Sequence, residues 1–257
     1  MEIKKGDYVT RNSYNNDTVF KVINIKNNIY YLKGVDVRLF ADSFLTDLEL
    51  VDYERKEDEF EIVDLYSERD DYFYLPAKIL HFDGDKEYLN RCLEFYKKAG
   101  VMAVGKAIKE SELPSKIINY LEQYHPDIVI ITGHDAYYRK KGDVDDITNY
   151  KNSLNFVKSV KNARIYEKSH EKLVVIAGAC QSDYEELIKS GANYASSPKR
   201  INIHALDPAI IAVTVALTEK NKEVNLIEML EKTKYGKDGM GGLKSNGMMY
   251  VGYPRSW

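Results

Sequence analysis

Over the first fifty residues, apolar and polar positions alternate with a period of two. DYVTRN, TVFKVINI, NIYYLKGV and DVRLFA each read as a short strand, and the spacers NSYNND and KNN are rich in turn formers. So many short strands in so few residues, introduced by Lys5-Gly6-Asp7, predict a small SH3-like β-barrel over residues 1–52. The pattern then changes to LVDYERKEDEFEIVDLYSERDD, strongly acidic with isolated apolar residues. A solvated linker or arm over residues 53–74 accounts for it, and so does an exposed helical face.

From Leu75 the period changes again. LPAKILHFDGD, VMAVGKAI, DIVIITGHD, LVVIAGAC and RINIHAL read as five strands, most of them apolar throughout. Between them run helical patterns: KEYLNRCLEFYKKAG closed by Gly100, LPSKIINYLEQYHP stopped by Pro126, roughly residues 149–161, SDYEELIKSGA, and 207–217 after the last strand. Fully apolar strands alternating with helices predict an α/β domain over residues 75–220, a parallel sheet with helices on both faces as in flavodoxin-like folds. Residues 221–257 are expected to add a helix and a flexible or surface-wrapping tail rich in glycine and methionine. Within that tail GKDGMGGLKS lacks the GxxxxGK[ST] spacing and follows a helix, so it is not a phosphate loop.

Composition narrows the function classes. With 257 residues and 44% apolar content the chain can bury a core. A net charge of −3 argues against nucleic acid as the main partner, and no apolar run reaches the length of a membrane span. The first residues carry no apolar signal core, so an intracellular location is expected. Two cysteines cannot build a disulfide framework. Cys92 shares a helical face with Leu89, Leu93 and Tyr96 and reads as core. The twenty-one tyrosines have no physical explanation in the pattern.

Ligands and catalysts gather beyond the carboxyl ends of parallel strands. Those ends carry Asp83 and Asp85, Lys106, Gly133-His134-Asp135, Cys180-Gln181, and His204. A cysteine and a histidine thus end two strands that a parallel sheet brings together. Nucleophilic thiol chemistry needs this pair, an imidazole to take the thiol proton and backbone N–H groups for the oxyanion. Small residues at Gly178, Ala179 and Gly133 would let a substrate backbone approach. His204 is a second candidate for the histidine or a pocket wall, Asp135 is a candidate to orient His134 although an adjacent residue usually points elsewhere, and Asp207 fits a helix cap before Pro208. No HxxxH, HExxH or CxxC spacing supports a metal, and Ser196-Ser197 lack an elbow motif. A non-enzymatic receiver-like module using Asp83, Asp85 and Lys199 is the rival reading. An amidotransferase would place its cysteine before its histidine.

His before Cys, each after an apolar strand, resembles caspase-like peptidases, with GAC matching and His-Gly inverted to Gly133-His134. Longer strings, KKGDYVTRNSYNNDTVFKV, HFDGD, DIVIITGHDAYYRKKGD, VVIAGACQSDYEELIKSGANYASSPKR and INIHALDP, resemble the YabG sporulation-specific peptidases. That resemblance implies a cysteine peptidase working without metal or organic cofactor, with His134 and Cys180 catalytic. It implies protein substrates among spore-coat and germination-related precursors, in the mother-cell cytoplasm at the forming spore coat. Self-cleavage and a preference for arginine also follow from it. Arginine would need an acidic pocket, for which Asp135, Asp183 and Asp207 are the candidates, with Gln181 and Gly133 near the oxyanion.

Overall fold

In the computed structural model, which describes residues 3–54 and 71–255, the alternating N-terminal pattern becomes five strands. They are β1 (Tyr8–Arg11), β2 (Phe20–Lys26), β3 (Ile29–Gly34), β4 (Phe40–Phe44) and β5 (Leu48–Leu50). All pair antiparallel, in the order β4-β3-β2-β1-β5. One face carries Val9, Phe20, Val22, Tyr30, Leu32 and Leu48 into a small core. Asn27 and Asn28 make the β2–β3 turn with φ of 53° and 61°, the left-handed pair that a two-residue hairpin requires. Its two outermost strands do not pair with each other, so the expected closed SH3-like barrel is not found among the described residues.

The chain divides into two units, residues 1–61 and 62–257. The acidic stretch expected as linker or arm lies largely outside the described residues. The second unit opens with β6 (Phe73–Leu75) and β7 (Ile79–Asp83), then α1 (Lys86–Lys98), β8 (Ala103–Ala107), α2 (Leu113–Tyr124) and β9 (Ile128–Thr132). There follow α3 (Ser153–Tyr166), β10 (Val174–Ala177), α4 (Tyr184–Lys189), β11 (Tyr194–Ser196) and α5 (Asp207–Leu217). The C-terminal part adds α6 (Leu226–Glu231), α7 (Gly236–Gly239), β12 (Met240–Gly242) and β13 (Tyr250–Gly252). Its main sheet runs β12-β11-β10-β9-β7-β8, parallel except for β12.

Why the sheet needs helices on both faces is visible in its strands. Every residue of β7, β9 and β10 is buried, which an open sheet face would forbid. Leu80, Phe82, Val129, Ile131, Val175 and Ala177 point to one side, onto α2, α3 and α4. The alternate positions meet α1 and α5, which pack on β7–β8 and β9–β10. Burying this much apolar surface, at about 25 cal/mol per Å², is what holds the layers together. Below the strand ends lies a buried polar chain. His81 contacts the Tyr96 hydroxyl and the Thr132 hydroxyl, each at 2.8 Å, and Thr132 donates to Asp83 at 2.7 Å.

Two sequence expectations change. The stretch RINIHAL is a loop, and the fifth parallel strand is β11 instead. Main-chain groups of Ile201 and Ile203 bond the Cys180 turn and so are not available for a ladder. The glycine- and methionine-rich tail is not a loose end. Its β12 forms the sheet edge against β11, β13 pairs with β6, and Met240, Met248 and Met249 are buried. Two strands and three buried methionines anchor it.

Candidate active site

Pairing between β9 and β10 sets Ile131 opposite Ala177. His134 and Cys180 each lie three residues beyond that pair, so the register delivers both to the same edge. The loops that carry them are stitched together. Ser182 donates its hydroxyl to Asp135 at 3.0 Å and accepts the Ala179 N–H at 2.8 Å. Tyr137 N–H reaches the Gln181 side-chain oxygen at 3.3 Å. Ser153, the first residue of α3, donates to Asp135 at 2.5 Å and accepts the Asp183 N–H at 2.8 Å.

Cys180 is fully buried. The Ile203 N–H donates to its Sγ at 3.4 Å, and the thiol faces the Ile203 carbonyl at 3.7 Å. Gln181 follows with φ of 57°, an uncommon left-handed value for a side chain of this size, and its N–H is taken by the Ile201 carbonyl. The segment 201–203 thus lies against the thiol. Gly178 has φ of +107°, and a Cβ there would press on Leu187 and Ser196, so this turn requires glycine.

His134 is nearly buried and sits in acidic company. Its Nδ1 is 3.5 Å from Glu110 Oε1, and its Nε2 is 3.8 Å from Asp85 Oδ2. Its backbone N–H donates to the same Glu110 oxygen at 2.7 Å. Tyr88 of α1 lies beside the ring at 6.1 Å between centroids. Burial acts to raise the Glu110 pKa, but hydrogen bonds from the His134 ring and N–H outweigh it and hold the carboxyl below its usual value. Asp85, besides facing His134, accepts the Glu87 N–H and so caps α1.

The remaining sequence candidates have definite surroundings. Asp135 is buried and accepts from Ala136 N–H, Asn152 N–H, Ser153 and Ser182. Burial still pushes its pKa up despite those donors. Asp183 caps α4 through the Glu186 N–H and meets Arg200 at 3.3 Å; Arg200 also pairs with Glu185. Its pKa too is raised by burial, with Arg200 opposing. His204 uses Nδ1 to accept the Leu206 N–H at 3.3 Å. Asp207 does not cap its own helix but accepts from His204 N–H and Lys234 N–H. Gly133 stands beside the Glu110 carboxylate, where a Cβ would collide. Asp83 receives Thr132 and the Asp85 N–H.

Glu110, Ser153 and Ser182 escape a reading of the sequence. Glu110 lies in the turn KAIKESEL, which has no period to single it out. Among the described residues no group of three or more His, Cys, Asp and Glu side chains is placed to hold a metal ion, and no helix is long and apolar enough to cross a membrane.

Comparison with known proteins identifies a peptidase family. A curated relative, the sporulation-specific protease YabG of Bacillus subtilis (strain 168), is 39% identical over 99% of both chains. Residues 4–63 and 53–254 match the model of a family described as YabG peptidase U57. Matches of that extent mean that the chain belongs to the YabG peptidase family.

Proposed function

We propose that this chain is a cysteine endopeptidase of sporulation, with Cys180 as nucleophile and His134 as general acid–base. The observation that carries the reading is the β9–β10 register, which gives both residues the same offset beyond a paired position. Cys180 Sγ attacks the scissile carbonyl carbon as His134 takes the thiol proton, and the carbonyl electron pair moves onto oxygen. Collapse of that intermediate breaks the C–N bond, the imidazolium gives its proton to the departing amine, and water then hydrolyses the thioester. The N–H groups of His134 and Gln181 are committed to Glu110 and Ile201. The Cys180 N–H, on the strand-to-helix turn, and the Gly133 N–H, at the neighbouring strand end, are the proposed oxyanion donors by position.

Peptide access requires segment 201–203 to release the thiol. A preference for arginine at the cleaved bond finds support at Asp183 and Glu185, which already hold the guanidinium of Arg200. Spore-coat and germination-related precursors are the proposed substrates, with self-processing, in the mother-cell cytoplasm. The test compares wild type with Cys180→Ala and His134→Ala during overexpression, following the chain and an added coat-protein precursor on gels. Fragments seen with wild type and absent from both variants support the reading. Equal cleavage by Cys180→Ala overturns it.

A further inference from the structure

We infer that Glu110 is the positioning residue of the catalytic histidine, fixing His134 with its proton on Nδ1 so that Nε2 is the nitrogen that exchanges protons. The inference rests on the Cys180–His134 reading and extends it to a third residue. One oxygen of Glu110 accepts the His134 backbone N–H, at 2.7 Å, and faces the ring Nδ1 at 3.5 Å. An acceptor at Nδ1 decides the tautomer, because neutral imidazole carries only one ring proton. The same oxygen, being negative, also stabilises the imidazolium that forms when the thiol is deprotonated.

The seat of this carboxylate is built from absent side chains. Gly84, just past β7, and Gly133, just past β9, both approach Glu110, and a Cβ at either would collide with its carboxylate. Two neighbouring strand ends thus open the same space, and a side chain from the β8–α2 turn fills it. Burial acts against the charged form of Glu110, but the hydrogen bonds from His134 outweigh it and hold the carboxyl below its usual pKa. Asp85 Oδ2 stands 3.8 Å from Nε2, farther than Glu110 lies from Nδ1, and Glu110 is also anchored by the His134 backbone N–H.

The experiment uses the full chain and two probes. Cleavage of β-casein is followed from pH 5 to 9 for wild type, Glu110→Gln, Glu110→Ala and Gly84→Ala. Iodoacetamide labelling of Cys180 over the same range, read by mass spectrometry, gives the pH at which the thiol ionises. Glu110→Ala is expected to lower kcat about 10- to 100-fold with KM nearly unchanged. Glu110→Gln keeps an acceptor without the charge and should recover part of that loss. In both, thiol ionisation moves to higher pH and the imidazolium is lost at lower pH, so the activity profile narrows from both sides. Gly84→Ala, which displaces the carboxylate while leaving it in the chain, should resemble Glu110→Ala.

A Glu110→Ala enzyme with wild-type kcat, or one slowed with an unchanged pH profile, overturns the positioning role. If Cys180→Ala or His134→Ala still cleaves, the underlying dyad has failed instead, and the two failures are thereby separate. Should the Glu110 variants not fold, ring ¹⁵N shifts of His134 in the wild type decide the matter. A proton on Nδ1 in the neutral form supports the inference, and one on Nε2 refutes it.

Discussion

Replacing Asp135 by alanine tests whether the two strand ends are held in register by one buried carboxylate. Its oxygens accept from the Asn152 N–H at 2.7 Å, Ser153 at 2.5 Å, Ser182 at 3.0 Å and the Ala136 N–H at 2.9 Å. Alanine would strand two buried hydroxyls and two backbone donors. Each donor left without a partner costs about 1–3 kcal/mol, but loops relax and the terms do not add, so the net loss is set at about 3–5 kcal/mol. For a unit of this size each kcal/mol moves Tm by about 2–4 °C, so a fall of roughly 6–20 °C is expected. Urea unfolding followed by far-UV circular dichroism measures the loss directly, at constant m value. Asp135→Asn, which keeps one carbonyl oxygen, should lie between wild type and alanine. Well below the variant's Tm, peptidase activity should also drop, because Ser182 no longer ties the Cys180 turn to the His134 loop. An Asp135→Ala protein within 1 °C of wild type and fully active would show that the register stands without this carboxylate.

Three further outcomes follow from the same geometry. Cys180 in the resting protein should alkylate at least about 10-fold more slowly at pH 7.5 than in urea, because burial excludes the reagent; Ile203→Gly should speed it, and equal rates would refute the cover by segment 201–203. Gly178→Ala must accept φ of +107° and press its Cβ to 2.9 Å from Leu187 and 3.1 Å from Ser196, which should cost about 1–3 kcal/mol in urea titrations. Glu110 has a folded pKa below its unfolded value, so its ionised form stabilises the fold above the unfolded pKa of about 4.5, and that contribution is lost as pH falls through the folded pKa. The stability difference between wild type and Glu110→Gln should therefore be present at pH 6 and shrink on acidification below about 4.5; a difference independent of pH would contradict the shift.

The parts of this protein that can be read from its sequence are those fixed by local pattern. Ile79–Asp83, Ile128–Thr132 and Val174–Ala177 are buried on both faces, and so they stand out as apolar runs. Cys180 and His134 could be named because each sits just beyond such a run. Long-range pairing hid the rest. Tyr194–Ser196 is three residues long and is a strand by pairing with β10 on one side and, on the other, with β12, more than forty residues later in the chain. The run RINIHAL has the alternation of a strand, but its peptide groups bond the Cys180 turn. Glu110 is invisible because its meaning depends on two glycines distant in sequence, 84 and 133, that converge only in three dimensions.

The pairing of β6 with β13 has a topological consequence. Leu75 lies opposite Tyr250 and Phe73 opposite Gly252, so the first and last described segments of the larger unit lie side by side, like a belt buckled on itself. Joining those segments with a short linker and opening the chain at an exposed turn elsewhere should leave a foldable, circularly permuted peptidase unit.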